Sequence, residues 1–127
     1  MIPVAPDAPS TPEVTDTTSR SVSLSWNKPR DDGGDKITGY IIEKKEPFSI
    51  RWTEVGRTQD TSFTVNGLKE GEELMFRVTA ENRAGPGKAS QESDKVVVKP
   101  PYGMTFGFDI LLISSFLTSA LVTSMWS

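Results

Sequence analysis

Apolar and polar residues alternate along most of the first hundred positions of this chain. The clearest run is Leu74, Phe76, Val78 and Ala80, interleaved with Met75, Arg77, Thr79 and Glu81. A period of two sends successive side chains to opposite faces of an extended strand, so this run has one apolar face and one mostly polar face. Lys69-Glu70-Gly71-Glu72 before it reads as a turn. Ala84-Gly85-Pro86-Gly87 after it cannot continue a central strand, because proline has no N–H to give to the ladder. A strand framed in this way predicts the middle of an antiparallel sheet.

The alternation recurs upstream. Val22, Leu24 and Trp26 share one face of a strand spanning Ser21 to Asn27, with Ser21, Ser23 and Ser25 on the other. Arg30 to Asp35 carries turn chemistry in Asp31-Asp32-Gly33-Gly34. Ile37 to Lys45 predicts a strand with Tyr40 and Ile42 inward and Lys44 and Lys45 at its solvated end, stopped by Pro47. Trp52 and Val55 predict a short strand, followed by a turn near Gly56. Ser62 to Asn66 alternates again, with Phe63 and Val65 inward and Leu68 closing the corner. A first strand near Glu13 to Asp16 and a last near Asp94 to Val98 complete the set. Seven short antiparallel strands separated by turns predict an all-β, immunoglobulin-like sandwich. The expected core is Trp26, Tyr40, Ile42, Trp52, Val65, Leu68, Leu74, Phe76 and Val78.

The flanks differ from this body. Residues 1–10 read as a proline-rich linker; Pro3, Pro6, Pro9 and Pro12 recur every third position and predict an extended, stiff lead-in or a disordered terminus. The domain is expected over residues 11–99. Residues 100–127 form a short apolar tail, in which Asp109 is the only charged side chain. Its uncharged stretch 110–126 is at the short limit for a membrane-spanning helix, and Ser114, Ser115, Thr118, Ser119 and Thr123 fall largely on one helical face. Three readings of the tail stand side by side: a membrane anchor through 110–126, a chain end not native to the module, and a segment folded back on the sandwich.

Composition narrows the chemistry. The chain has no Cys and no His, which removes disulfides, thiolate metal sites and both cysteine- and serine-histidine catalytic sets. No catalytic, cofactor-binding or metal-binding residue is assigned, and an enzyme is not expected. Glu70, Glu72 and Glu73, and separately Asp31, Asp32 and Asp35, read as solvated turns; the second group lacks the spacing of a glutamate-terminated calcium loop. Gly33-Gly34 is not followed by the Gly-Lys-Ser/Thr of a phosphate loop. With 14 basic and 17 acidic side chains there is no basic surface of the kind that holds nucleic acid. The start carries no secretory signal pattern, and Asn27, Asn66 and Asn82 lie outside any glycosylation sequon, which favours an intracellular setting.

Several separated blocks also resemble a known family. GL-x-EG-x-x-x-x-FRV-x-AEN-x-AGPG (Gly67 to Gly87), VSLSW (Val22 to Trp26), KPRDDGGDKITGY (Lys28 to Tyr40) and IIEKKE (Ile41 to Glu46) stand in the order of a fibronectin type III domain. More narrowly they are similar to the type found in giant muscle proteins such as titin and twitchin and in myosin-binding protein C. The resemblance covers roughly residues 7 to 99. It implies a structural, protein-binding module of a cytoplasmic, sarcomeric protein. The partners it implies are myosin or other thick-filament proteins and neighbouring immunoglobulin or fibronectin modules. The different class left open is a membrane-anchored adhesion or receptor fragment. Two departures matter. Leu74 stands where the family usually has a tyrosine whose hydroxyl ties the strand to the preceding turn, so a hydrogen bond worth on the order of 1 kcal/mol is expected to be missing. Arg83-Ala84-Gly85 stands where receptor-type modules display Arg-Gly-Asp, so integrin binding is not implied. Arg51, Arg57 and Arg83 are the candidate partner contacts. Arg51 and Arg57 with Lys44 and Lys45 read first as scattered surface charge and, as the alternative, as a basic face suited to an acidic filament surface.

Overall fold

A computed structural model describes residues 2–101 of the chain. The stretch 110–126, read above as a candidate membrane span, lies outside the described residues. Within them no helix is long and apolar enough to cross a membrane.

Eight strand segments form two antiparallel sheets: β1 (Glu13–Thr17), β2 (Val22–Ser25), β3 (Gly39–Lys45), β4 (Thr53–Thr58), β5 (Ser62–Val65), β6 (Glu73–Asn82), β7 (Gly85–Ala89) and β8 (Val96–Val97). The smaller sheet has the order β1-β2-β5, and the larger runs β4-β3-β6-β7 with β8 also on β6. The long alternating run is the centre of the larger sheet. β6 pairs with β3 from Gly39↔Glu81 to Lys45↔Met75, and with β7 and β8 on its other side.

The core lies between the sheets, because each contributes its apolar face. Val22, Leu24 and Trp26 from the small sheet meet Tyr40, Ile42, Leu74, Phe76, Val78 and Ala80 from the large one, with Val65, Leu68 and Val98 closing the edges. Trp26 and Tyr40 cross edge to face with ring centroids 5.5 Å apart. The Tyr40 hydroxyl and the Trp26 indole N–H are both buried without a protein partner. Burial pushes the Tyr40 phenol above its usual range.

Three sequence expectations need correction. Trp52 is not in the core; it precedes β4 and is half-buried outside the sandwich. Gly56 is not a turn but part of β4, opposite Ile42. A Cβ there would run into the Phe63 ring, so the missing side chain makes room for that aromatic between the sheets. The third concerns the stretch after β6, where Ala84-Gly85-Pro86-Gly87 read as a break that ends the strand. The chain instead turns tightly at Arg83-Ala84 and returns at once as β7. Asn82 Oδ1 accepts the Ala84 N–H at 2.8 Å, and Gly85 has φ +122°. Pro86 is tolerated because β7 is an edge strand. β7 and β8 are two pieces of one interrupted strand along β6, which reconciles eight segments with the seven expected strands.

The interruption, residues 90–95, is patched by two serines. Ser90 N–H donates to the Val78 carbonyl, and the Val78 N–H returns to Ser90 Oγ at 3.0 Å. Ser93 N–H donates to the Phe76 carbonyl, and the Phe76 N–H returns to Ser93 Oγ at 2.9 Å. Each hydroxyl stands in for a missing strand carbonyl.

The lead-in, for which an extended, stiff segment and a disordered terminus both stood open, lies docked on the sandwich. Val4, Asp7 and Ser10 donate their N–H groups to the carbonyls of Gly33, Asp31 and Asn27. Pro6, Pro9 and Pro12 are buried. The period of three in the sequence is the physical reason: residues three apart share a side of an extended chain, so prolines recur on one side while donors recur beside them. Gly33 and Gly87 provide the seat, since a Cβ at either would collide with the carbonyl of Val4 or Pro6.

Candidate interaction surface

The three arginines expected as partner contacts are not brought together. Arg83 lies beyond the end of β6 and donates to Asp35 Oδ2 at 2.6 Å, which holds the Asp35 carboxyl below its usual range. Arg57 lies on the outer face of β4. It donates to Glu54 Oε2 at 2.9 Å and to Glu81 Oε1 at 3.3 Å, and its guanidinium lowers the Glu54 carboxyl pKa. Arg51, in the connection from β3 to β4, makes no ion pair among the described residues.

Nor is the outer sheet face basic. Strand register places Glu43 opposite Arg77, and the two pair at 2.8 Å. Lys45 approaches Glu92 at 3.9 Å. Trp52 lies among these charges. The Arg77 guanidinium carbon is 4.4 Å from its ring centroid and Lys45 Nζ is 5.6 Å away. Two cations over one indole hold Trp52 against the outer face of β3 and β6. The sequence reading missed this cluster. Its signal was the alternation itself, since Glu43 and Lys45 on β3, and Met75 and Arg77 on β6, occupy the positions that face outward. These cross-strand pairs leave the face close to neutral and each is worth only a fraction of a kcal/mol to about 1 kcal/mol.

The two ends of the sandwich are distinct. At one end, Val4 and Asp7 meet the loop at Asp31 and Gly33, beside Asn82, whose Nδ2 donates to the carbonyls of Val4 and Asp32. At the other end, set by the Lys45↔Met75 pairing, lie the 46–52 connection and the turn at residues 69–72, where Gly71 N–H donates to the Val98 carbonyl. The chain thus approaches the sandwich at one end of its long axis and leaves β8 at the other. Among the described residues no group of acidic side chains converges in an arrangement that holds a metal ion.

Two stacked sheets, chain connections at opposite ends and sides covered by paired charges define a structural β-sandwich module. The family profile described as "Fibronectin type III domain" matches residues 7–96, and the chain belongs to that family. It is 36% identical to titin of Drosophila melanogaster over 95 residues, 75% of this chain and, to the nearest per cent, 0% of that protein. It is 38% identical over 81 residues to slow-type myosin-binding protein C of Homo sapiens, covering 63% of this chain and 7% of the relative. The chain therefore spans a very small part of the curated relatives it matches. Among solved structures, domains A168–A170 of titin superimpose with a TM-score of 0.72 at 41% identity, over 75% of this chain and 32% of theirs. Titin module A71 from human cardiac muscle, solved as a single module, gives 0.65 at 38% identity over 75% of this chain and 92% of its own.

Proposed function

We propose that the chain is a structural, protein-binding module of an intracellular, titin-like sarcomeric protein. It binds filament proteins and carries load within a row of similar modules, without catalytic activity of its own. The observation that carries this reading is the identity of 36% to titin and 38% to a myosin-binding protein across the sandwich itself. Antiparallel ladders resist stretching because their hydrogen bonds must break together, and surface loops supply contacts. The test is co-sedimentation of the purified chain with assembled myosin filaments at physiological salt. Pelleting with the filaments supports the reading. A chain left in the supernatant, when a myosin-binding protein C module pellets alongside, overturns the partner assignment.

A second reading is favoured by one feature of the sequence, the uncharged stretch 110–126. On that reading the chain is a membrane-anchored fragment. Fractionation of expressing cells separates the two. Recovery in the carbonate-washed membrane pellet supports the anchor, and recovery in the soluble fraction removes it.

A further inference from the structure

Among the described residues, Lys45, Arg57, Arg77, Arg83 and Lys95 each face a carboxylate. Lys28, Arg30 and Lys36 make no such pair, and these three exposed side chains line one hollow of about 450 Å³. It lies between the β2–β3 connection and the turn after β4, which contributes Gln59. Asp31 and Asp32 also line it, but the loop itself uses one oxygen of each. Asp31 Oδ1 accepts the Gly33 N–H and Asp32 Oδ1 the Gly34 N–H, both at 2.9 Å. Tyr40 completes the lining; it is 2% exposed and its hydroxyl has no protein partner. An unpaired buried hydroxyl costs stability that phenylalanine at the same position would not lose. The backbone on both sides is braced. The carbonyls of Asp31 and Gly33 accept from Asp7 and Val4 of the docked lead, and the Asp32 carbonyl accepts from Asn82 Nδ2. Across the hollow, Trp26 N–H ties the turn after β4 through the Thr61 carbonyl. A site built on ordered backbone loses less freedom on binding.

We propose that this hollow receives a carboxylate side chain from an acidic segment of a partner protein. Lys28, Arg30 and Lys36 supply the charge, and the Tyr40 hydroxyl supplies a hydrogen bond. Charge complementarity sets the occupant. Three cations against Asp31 and Asp32 leave one net positive charge. That matches a single carboxylate better than a phosphate group carrying about two negative charges. A phenol O–H that donates to a carboxylate makes a short, charge-assisted bond, stronger than one between neutral groups. The cations also attract an acidic segment before contact, and salt screens that attraction. The inference rests on the protein-binding reading above and names the chemistry of the partner's contact.

The test is a titration of nitrogen-15-labelled residues 2–101 with acetylated hexaglutamate, hexaglutamine or inorganic phosphate at low salt. This body is a folding unit: its core lies wholly within Val22–Val98, and titin module A71 was solved alone. Hexaglutamate should shift the amides of the 28–36 loop, Tyr40 and Gln59, and the response should fade as salt rises. Hexaglutamine should leave them in place, and phosphate should bind more weakly than hexaglutamate. Lys28→Ala with Lys36→Ala should remove the response; both positions are exposed, so the variant keeps the core. Tyr40→Phe should bind about tenfold more weakly while melting no lower, a split that a purely structural hydroxyl does not produce. Equal responses to glutamate and glutamine, or a preference for phosphate, overturn the proposal. So does undiminished binding by either variant, or a Tyr40→Phe module that loses stability along with affinity. Filament co-sedimentation fails separately. A chain that binds hexaglutamate but not myosin filaments keeps this site and loses the partner assignment, and a chain that pellets with filaments but ignores hexaglutamate does the reverse.

Discussion

Replacing Ser93 with alanine removes one oxygen from the most dependent part of the larger sheet. Ser93 is 3% exposed and Phe76 is fully buried. The Phe76 N–H has Ser93 Oγ as its partner at 2.9 Å. Without that acceptor the N–H stays buried and unpaired, at a cost of about 1–3 kcal/mol. The second bond lost, from Ser93 Oγ to the Asp94 carbonyl at 3.0 Å, costs little, because Asp94 is exposed and water replaces the donor. The loss is a large share of a total stability of about 5–15 kcal/mol. For a domain of this size each kcal/mol moves the melting temperature by roughly 4–8 °C. Ser90→Ala leaves the Val78 N–H in the same condition, and because the two serines brace neighbouring positions of β6 the double variant should depart from the simple sum. The assay is urea denaturation of the full chain followed by tryptophan fluorescence, with the exposed Gln91→Ala as reference and Ser93→Thr as the variant that keeps an oxygen. A loss in Ser93→Ala no greater than in Gln91→Ala would refute the reasoning.

Leu74→Tyr is expected to raise the melting temperature by restoring the hydroxyl tie from strand to turn; an unchanged or lower value in a thermal scan defeats that reading of the corner. Gly87→Ala should push the lead off its seat, since a Cβ there meets the Pro6 carbonyl. Hydrogen exchange should then show the Asp7 amide losing protection while Ile42 keeps its own, and retained protection at Asp7 counts against the docking argument. Arg83 holds Asp35 below its ordinary value of 3.8, so the pair's contribution is whole above that value and fades as pH falls through the lower, folded-state value. The stability difference between the native chain and Arg83→Gln, measured by denaturation across the acid range, should therefore shrink below pH 3.8; a constant difference contradicts the pairing.

What was legible in the sequence was whatever one buried face dictates. β2, β3 and β6 followed from period two, because a one-residue slip would turn every apolar side chain to water. Trp52 was misplaced because its position depends on Arg77 and Lys45, brought to it by the pairing of strands distant in sequence. Gly56 and Pro86 were read as punctuation, which is the correct local expectation. Phe63 packing over the glycine and the edge position of β7 overrode it. Ser90 and Ser93 gave no signal, since a hydroxyl that replaces a carbonyl looks like any other serine. Arg57 and Arg83 looked free for the same reason that Trp52 looked buried: their carboxylate partners lie across the fold, Glu81 for one and Asp35 for the other.

On the load-bearing reading proposed above, the strand connections would determine how tension along the chain is carried. The chain approaches at one end and leaves at the other, so a pull along the long axis draws β1 past β2 and β8 past β6. Antiparallel bonds perpendicular to such a pull are strained together and not one after another. On the leading side the force meets the docked lead first, with the Val4, Asp7 and Ser10 donors, and then β1. On the trailing side β8 contributes only Glu73↔Val97 and Leu74↔Val96, supported by the exchange between Val98 and the turn at Gly71 and Glu72. This is the shorter clasp, and the patched stretch 90–95 lies directly behind it. If β8 were pulled free, the next ties along the chain would be Ser93 and then Ser90, whose hydroxyls accept the Phe76 and Val78 N–H groups of β6. On that reading, the serines that make an irregular strand acceptable at rest would be the second line of resistance.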